Sequence, residues 1–399
     1  MATFDFDRVI DRRGTQSAKY DIFDDPDLIS MWVADMDFES PEAIRRAIAE
    51  RLEHNIFGYT LDSPQLREVI CTRMERLYDW QVQPEEIVFI PGVVAALNAA
   101  MRAVGEPGDS VLIQPPVYPP FLASPAANRM RPVLAPLTEH VDGARLHYAI
   151  DFDAFAAAIE PDTKLFALCS PHNPVGRVWT PDELRRMAEI CIARDVVICS
   201  DEIHCDLVFD GHPHTPMAAL SPEIARHMIT LMAPSKTYNI PSLGFSFAII
   251  QNETLRQQFQ QAESFIVPHV GVLGFAAALG AYTGGDEWLA AALDYMQTNR
   301  DIVTDFVEEH LPGVRTTHPE GTYLSWLDVR DYDGGDGPAE GFTQWVEPFF
   351  LHNASVALNK GALFGTQGIG YARLNFALPR ARLNAALDRM RAAVAQAAR

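Results

Sequence analysis

Between residues 87 and 250 the chain alternates short, continuously apolar runs with longer stretches whose apolar positions recur at helical spacing. The runs cover residues 87–90, 111–113, 165–169, 196–199, 229–232 and 245–250. Runs of that length without polar alternation predict strands buried on both faces, and the stretches 93–104 and 182–194 between them predict covering helices. The pattern is that of an α/β protein built on a mainly parallel sheet.

The flanks read differently. Residues 1–40 are polar and irregular apart from the cluster Met31-Trp32-Val33-Ala34-Asp35-Met36-Asp37-Phe38. Ser40 and Pro41 predict the N-cap and first residue of a helix reaching about Leu52. Phe57-Gly58-Tyr59-Thr60 predicts a turn carrying an aromatic, and Ser63-Pro64 opens a second helix ending near Trp80. Past residue 284 a long helix is expected over 287–310, a strand over 323–327, a glycine-rich loop over 332–341, a helix over 342–352, a strand over 373–376 and a terminal helix over 379–398. At 399 residues a split into domains is expected. We divide the chain into an N-terminal segment, 1–50, that joins the small domain, a large domain, 51–284, and a small α+β C-terminal domain, 285–399.

Composition narrows the function. Apolar residues make up 48% and charged residues 21%, ordinary for a folded water-soluble chain. With 32 basic against 53 acidic residues the formal charge is -21, which argues against nucleic acid or an anionic membrane surface as a partner. The 5 cysteines include no CxxC pair and lie largely in or beside apolar runs, so reduced thiols and a cytoplasmic location are expected. Neither a secretory leader nor a membrane-length apolar run is read from the sequence.

Candidate chemistry collects where the apolar runs end. Ser170-Pro171-His172-Asn173-Pro174-Val175-Gly176 follows one run, Ser200-Asp201-Glu202-Ile203-His204 the next, and Ser235-Lys236 a third. In open parallel sheets the ligand crevice lies at the carboxyl ends of the strands, so these groups are expected to converge. Of the chain's lysines, Lys19, Lys164, Lys236 and Lys360, Lys236 alone sits at an expected strand end beside a hydroxyl. Taken singly, each feature has a plain reading: a solvated lysine, an Asn-Pro turn, Asp201 as a helix cap, His204 as a satisfied polar residue. Together, an amine nucleophile, a carboxylate and an amide are what pyridoxal phosphate needs for its imine, its pyridine nitrogen and its ring hydroxyl.

The set Asn173-Pro174-Val175-Gly176, Ser200-Asp201-Glu202-Ile203-His204 and Ser235-Lys236-Thr237-Tyr238-Asn239-Ile240-Pro241 resembles the fold-type I pyridoxal-phosphate enzymes of the class I/II aminotransferase superfamily. Residues 31–38, Phe57-Gly58-Tyr59 and Asp201-Glu202-Ile203-His204 resemble its cystathionine β-lyase branch, the C-S lyases that include cystalysin. The resemblance runs from about residue 28 onward. It implies a large domain with a mainly parallel seven-stranded sheet, a smaller α+β domain, and pyridoxal 5'-phosphate as cofactor. It further implies Lys236 as the covalent attachment point and proton shuttle, Asp201 on the pyridine nitrogen, Asn173 on the ring hydroxyl, and Tyr118 stacked on the ring. Ile203 and His204 complete the cofactor wall, His204 standing where many aminotransferases have a tyrosine.

For the phosphate, the resemblance points to Gly92, Val93 and Val94 at a helix start, to Ser235, and to Tyr59 reaching in from the neighbouring subunit of a homodimer. Arg373 would clamp the substrate α-carboxylate, with Asn173, Tyr118 and Asp35 on the substrate side. Three positions depart from the family pattern: Gly244 replaces a phosphate-binding arginine, Ala233 a serine, and Lys360 a small residue before Gly361. The activity implied is α,β-elimination of L-cystathionine or a related S-substituted cysteine to pyruvate, ammonia and a thiol. Transamination shares the early steps and is the alternative. A non-catalytic binding role leaves Lys236, Asp201 and Asn173 unexplained, and a metal site from Asp201, His204, Cys205 and Asp206 matches no closed ligand set.

Overall fold

The computed structural model describes residues 4–332 and 344–397. Apart from Tyr332, the loop expected over 332–341 lies outside the described residues, as do the first two residues of the helix expected over 342–352 and the last of the terminal helix.

From the N-terminus the elements are β1 (Ile29–Ser30), α1 (Glu42–Glu53), α2 (Pro64–Tyr78), β2 (Ile87–Ile90), α3 (Val93–Val104), β3 (Ser110–Ile113), α4 (Pro119–Ala127) and β4 (Arg131–Leu134). A hairpin of β5 (Thr138–Asp142) and β6 (Arg145–Ala149) leads to α5 (Phe152–Ala158), β7 (Thr163–Cys169), α6 (Pro181–Ile192), β8 (Val197–Asp201), α7 (Pro222–Ala225) and β9 (Met228–Met232). The single turn α8 (Pro234–Thr237) precedes β10 (Ser246–Ile249), α9 (Glu253–Glu263) and α10 (Val272–Gly284). The remainder is α11 (Asp286–His310), β11 (Arg315–Thr317), β12 (Leu324–Asp328), α12 (Pro348–Ala354), β13 (Val356–Ala357), β14 (Asn359–Lys360), β15 (Tyr371–Asn375) and α13 (Arg380–Ala397).

The apolar runs assemble into a 7-stranded sheet in the order β2-β10-β9-β8-β7-β3-β4. Pairing is parallel throughout except at β10, which runs antiparallel to both β9 and β2. The central strands are buried along their length, as strands covered on both faces must be. Beyond the expected runs, the sheet gains the edge strand β4, where Pro132 needs no ladder donor on the open side. A second, 6-stranded sheet has the order β14-β15-β12-β11-β6-β5. Its β5–β6 hairpin comes from the middle of the chain and joins through a parallel pairing of Thr316 with Arg145. The N-terminal segment packs with the C-terminal elements: Phe6, Met31, Met36 and Phe38 share an apolar core with Trp288, Tyr323 and Leu374.

Helix starts follow local chemistry. Thr180 and Glu183 form a reciprocal capping box on α6, with Pro181 as its first residue. Ser63 caps α2 through the Leu66 N–H. Ser40 does not cap α1, contrary to expectation: Pro41 takes the N-cap position, and the Ser40 hydroxyl donates to the Asn239 carbonyl at 3.0 Å. That bond ties the N-terminal segment to the chain just after Lys236. The helix expected from 342 starts only at Pro348, where the Glu347 carboxylate accepts the Phe349 and Phe350 N–H groups. Among the described residues no helix is long and apolar enough to cross a membrane.

Candidate active site

A cavity of about 760 Å³ opens at the carboxyl ends of β7, β8 and β9. Parallel strands deliver their following residues to one edge of the sheet, and that geometry brings the separated motifs together. Asn173 arrives after β7, Asp201, Ile203 and His204 from the end of β8, and Ser235 and Lys236 after β9. Gly92, Val93 and Val94 come from the start of α3, Tyr118 from the head of α4, and Arg373 from β15 of the second sheet. Two expected site residues do not line this cavity. Asp35 lies behind its wall, and Tyr59 is 108% exposed on the surface.

Lys236 sits on α8, held from behind by Thr237, whose hydroxyl donates to Asp206 at 2.9 Å. Asp206 in turn pairs with Arg73 at 2.6 Å, both side chains being buried. The Lys236 Nζ donates to the Ala34 carbonyl at 2.6 Å. Burial, then the Arg373 charge, lower its pKa from 10.5 to about 8, against the pull of Asp35 and Asp201. An ordinary lysine is neutral in only about one molecule in a thousand at pH 7.5; with a pKa near 8 roughly a quarter are neutral and nucleophilic.

Asp201 is buried, and the Ile203 N–H donates to its Oδ1 at 3.1 Å. Burial raises its pKa to about 7, opposed by that N–H and by Lys236. His204 is also buried, its Nδ1 has no hydrogen-bond partner, and burial pushes its pKa well below the ordinary value. Arg373 donates to Asn173 Oδ1 at 3.1 Å, to the Trp32 carbonyl at 2.8 Å and to Asn359 Oδ1, while its Nε is unpartnered. Burial lowers its pKa to about 10, which leaves it charged at neutral pH. Tyr118 is raised by burial and stays a neutral phenol.

One wall is a strap of irregular chain, residues 32–37, inside the 31–38 cluster that resembles the lyase branch; what the sequence did not reveal is that its backbone carbonyls make the wall. Asn375 Nδ2 donates to the Val33 and Asp35 carbonyls, at 2.7 Å each. The Tyr323 hydroxyl joins Lys236 on the Ala34 carbonyl at 2.9 Å. Asn239, in left-handed conformation at φ 57°, accepts the Met36 N–H and donates to the Met36 and Phe38 carbonyls. Asp35, expected on the substrate side, instead turns its carboxylate to Arg12 at 2.6 Å and Lys19 at 3.6 Å. Its influence on Lys236 is electrostatic rather than by contact. Asn239 stands inside the Ser235–Pro241 motif and Asn375 in the strand expected over 373–376, yet nothing in their spacing marks them as backbone clamps.

The departures from the family pattern have local reasons. Gly244 lies at φ 57°, a conformation side chains rarely adopt, so the backbone there suits glycine. Lys360 is not among the cavity-lining residues; strand alternation presents Asn359 instead. Ser235 lines the cavity, its hydroxyl donating to the Phe245 carbonyl at 3.3 Å.

These residues fit pyridoxal phosphate. The start of α3 has no side-chain cap, so its first-turn N–H groups stand open to an anion. Asp201, its pKa raised by burial and with one N–H donor among the described residues, is suited to a protonated ring nitrogen, and the orphaned His204 Nδ1 to a polar ring substituent.

The family model Aminotransferase class I and II matches residues 26–390. Cystathionine beta-lyase PatB of Bacillus subtilis (strain 168) is 39% identical over 395 residues, 98% of this chain and 99% of that protein. The crystal structure of cystalysin from Treponema denticola, which contains a pyridoxal 5'-phosphate cofactor, superposes with a TM-score of 0.91 at 31% identity, covering 99% of this chain and 100% of that one. The pyridoxal-phosphate-bound C-S lyase from Staphylococcus hominis gives a TM-score of 0.90 at 34% identity over 98% of each chain.

Proposed function

This chain belongs to the aminotransferase class I and II family, and from that premise we propose that it is a pyridoxal-phosphate-dependent carbon–sulfur β-lyase acting on L-cystathionine or related S-substituted cysteines. The observation that carries the reading is the convergence of a part-buried Lys236 of lowered pKa with Asp201 and Arg373 in one cavity of a chain so similar to named C-S lyases. Its mainly parallel seven-stranded sheet is that of the fold-type I enzymes.

The bound cofactor supplies an electron sink that makes the α-C–H of an attached amino acid acidic and lets the β-sulfur leave. The residues do the rest. Asp201 would hold the ring nitrogen, Asn173 and His204 the ring hydroxyl beside Ile203, and Tyr118 the ring face. The open N–H groups at Gly92, Val93 and Val94 and the Ser235 hydroxyl would hold the phosphate. Arg373 fixes the α-carboxylate, its planar fork setting the direction of the Cα–H bond. Lys236 as the free amine would take the Cα proton, a base whose pKa lies near the working pH. The C–S bond breaks with its electron pair on sulfur, which leaves as thiol after protonation. Water completes the balance, giving pyruvate and ammonium.

Tyr59, fully exposed on its own chain, is read as reaching the phosphate of a second copy, so that the working enzyme is a homodimer with its sites at the interface. Free cysteines and the charge of -21 support a reducing, cytoplasmic setting without nucleic-acid or membrane partners. The test is to give the holoenzyme L-cystathionine and, separately, S-ethyl-L-cysteine with no oxo acid present, and to assay pyruvate. Pyruvate is the expected result. None from either substrate, with amino transfer to 2-oxoglutarate, overturns the lyase reading in favour of an aminotransferase.

A further inference from the structure

Of Lys19, Lys164, Lys236 and Lys360, Lys19 is the most deeply buried, at 1% exposure, and the proposed reaction gives it no task. It stands directly behind the strap. Its Nζ donates to the Asp35 carbonyl at 3.1 Å and pairs with the carboxylates of Asp37 at 3.1 Å and Asp35 at 3.6 Å. Ser30 Oγ and Trp32 Nε1, where the chain enters the strap, donate to the Lys19 carbonyl at 2.5 and 3.3 Å, so its backbone is fixed as well as its amine. The preceding carbonyl, that of Ala34, takes the amine of Lys236 on the cavity side. Two lysines thus grip adjacent peptides of one irregular segment, one from the cavity and one from behind it.

Behind the strap the charges balance. Arg12 binds the Asp35 carboxylate at 2.6 Å and that of Asp37 at 2.7 Å, and the Tyr20 hydroxyl donates to Asp37 at 2.7 Å. Two cations, Arg12 and Lys19, face two carboxylates, and Arg382 of α13 acts on Tyr20 electrostatically. Burial alone would raise the Asp35 carboxyl; Lys19, then Arg12, hold it below the usual carboxylate range. On the cavity side Lys236 feels Arg373, Asp35 and Asp201, with the buried His204 and the Tyr323 phenol beside them. A carboxylate left unbalanced one peptide behind a base favours the protonated form of that base. Resting on the reading of Lys236 as the reacting amine, we propose that Lys19 is a positioning residue for the reaction: it anchors the strap from behind and cancels the charge of Asp35, so that Lys236 can shed its proton. A neutral donor in its place could hold the Asp35 carbonyl but would leave Arg12 shared between two carboxylates.

A merely structural tie would show only as lost stability, so the test reads the amine itself. The cofactor-free protein is labelled at Lys236 with an amine-reactive aldehyde across pH, as wild type and as Lys19→Met, Lys19→Arg, Asp35→Asn and the double variant Lys19→Met/Asp35→Asn. Lys19→Met is expected to raise the labelling midpoint by about one pH unit, which leaves about tenfold less neutral amine at pH 7. The double variant removes both charges and returns to within about 0.3 unit of the wild type, as does Lys19→Arg, which keeps the cation. Asp35→Asn alone moves the midpoint down by about one unit. In the holoenzyme the pH midpoint of the lysine-bound cofactor's absorbance change moves in the same directions. A folded Lys19→Met protein whose labelling midpoint stays within about 0.3 unit of the wild type overturns the proposal, whatever its stability. If Lys19→Met does not fold, the isosteric Asp35→Asn decides, and an unchanged or raised midpoint there overturns it. None of these readings needs pyruvate, so failure of the lyase assay and failure of this proposal are told apart.

Discussion

Two irregular stretches of the N-terminal region carry motifs of the lyase branch, and they live under opposite conditions. Along residues 32–36 of the strap, every backbone carbonyl accepts from a side chain brought by another element: Arg373, Asn375, Lys236 with Tyr323, Lys19 with Asn375, and Asn239. Along 56–61 the chain presents Ile56, Phe57, Tyr59 and Leu61 at 69%, 56%, 108% and 89% exposure. Its backbone contacts are local, such as Arg51 to the Ile56 carbonyl. Irregular backbone becomes a rigid wall only where its polar groups are satisfied from outside the segment, and the strap meets that condition within one chain. The second stretch has large apolar groups in water, and the covering surface we assign it is another copy.

The largest expected effect falls on the strap side. Lys236→Ala removes the nucleophile and base, and pyruvate release from an S-alkylcysteine is expected to fall at least about 10³-fold. The absorbance band of the lysine-bound cofactor disappears with it. The Tyr323 hydroxyl still holds the Ala34 carbonyl, so the variant is expected to unfold at a denaturant midpoint close to that of the cofactor-free wild type. Retained turnover sinks the assignment of Lys236; a large loss of stability shows instead that the lysine is the strap's main tether.

Next comes pH. In the cofactor-free protein, labelling of Lys236 by an amine-reactive aldehyde is expected to reach half its maximum near pH 8, against 10.5 for an ordinary lysine, measured by peptide mass mapping. The stability linkage has a definite sign. Between about pH 8 and 10.5 the unfolded chain binds the proton that the folded chain has released, so this group makes stability rise with pH across that window. Asp201 acts oppositely: with a folded pKa near 7 against 3.8, the native state holds the extra proton, and its contribution falls as pH rises between those values. A labelling midpoint above pH 10 would mean that the strap does not desolvate the amine.

Asn375→Ala tests the strap without touching the nucleophile. Asn375 is buried, donates to the Val33 and Asp35 carbonyls and accepts from the Ala377 N–H at 2.8 Å. Removing these bonds leaves the Val33 carbonyl and the Ala377 N–H unpaired, while the Asp35 carbonyl keeps Lys19 at 3.1 Å, and is expected to cost about 2–4 kcal/mol in denaturant unfolding at fixed cofactor concentration. A loss under about 0.5 kcal/mol would show that water replaces the amide and that the strap is not set by it.

The two stretches also mark how far the sequence could be read. Central strands such as β8 and β9 were legible because burial on both faces leaves a continuous apolar signature. The hairpin β5–β6 was not, since Thr138-Glu139-His140-Val141-Asp142 is polar and its register depends on a partner strand, β11, far along the chain. At the site, Lys236, Asp201, Asn173 and Arg373 follow from strand-end logic plus resemblance, and the fold brings them to one cavity. Asp35 and Ala34 show the limit: adjacent in one motif, they exchange the roles that side-chain chemistry suggests, because the peptide carbonyl of Ala34 faces the amine while the Asp35 carboxylate is taken by Arg12 and Lys19. Backbone groups leave no trace in residue identity.

The smallest effect belongs to Tyr59, and it separates the two stretches most cleanly. Fully exposed on its own chain, Tyr59 contributes nothing to that chain's fold, so Tyr59→Phe is expected to leave the unfolding midpoint of a dilute, cofactor-free sample unchanged. If its hydroxyl reaches the phosphate in a second copy, the same change weakens cofactor affinity by roughly tenfold, the worth of one hydrogen bond to a charged group. Mixing decides between reach across the interface and an effect within one chain. A heterodimer of Tyr59→Phe and Lys236→Ala chains contains one site with an intact Lys236 facing an intact Tyr59, and one site lacking both. Wild-type cofactor affinity in half of the sites is the expected outcome of a titration on the purified heterodimer. Uniformly weak sites would place the Tyr59 effect inside its own chain and leave the exposed stretch without the partner assigned to it.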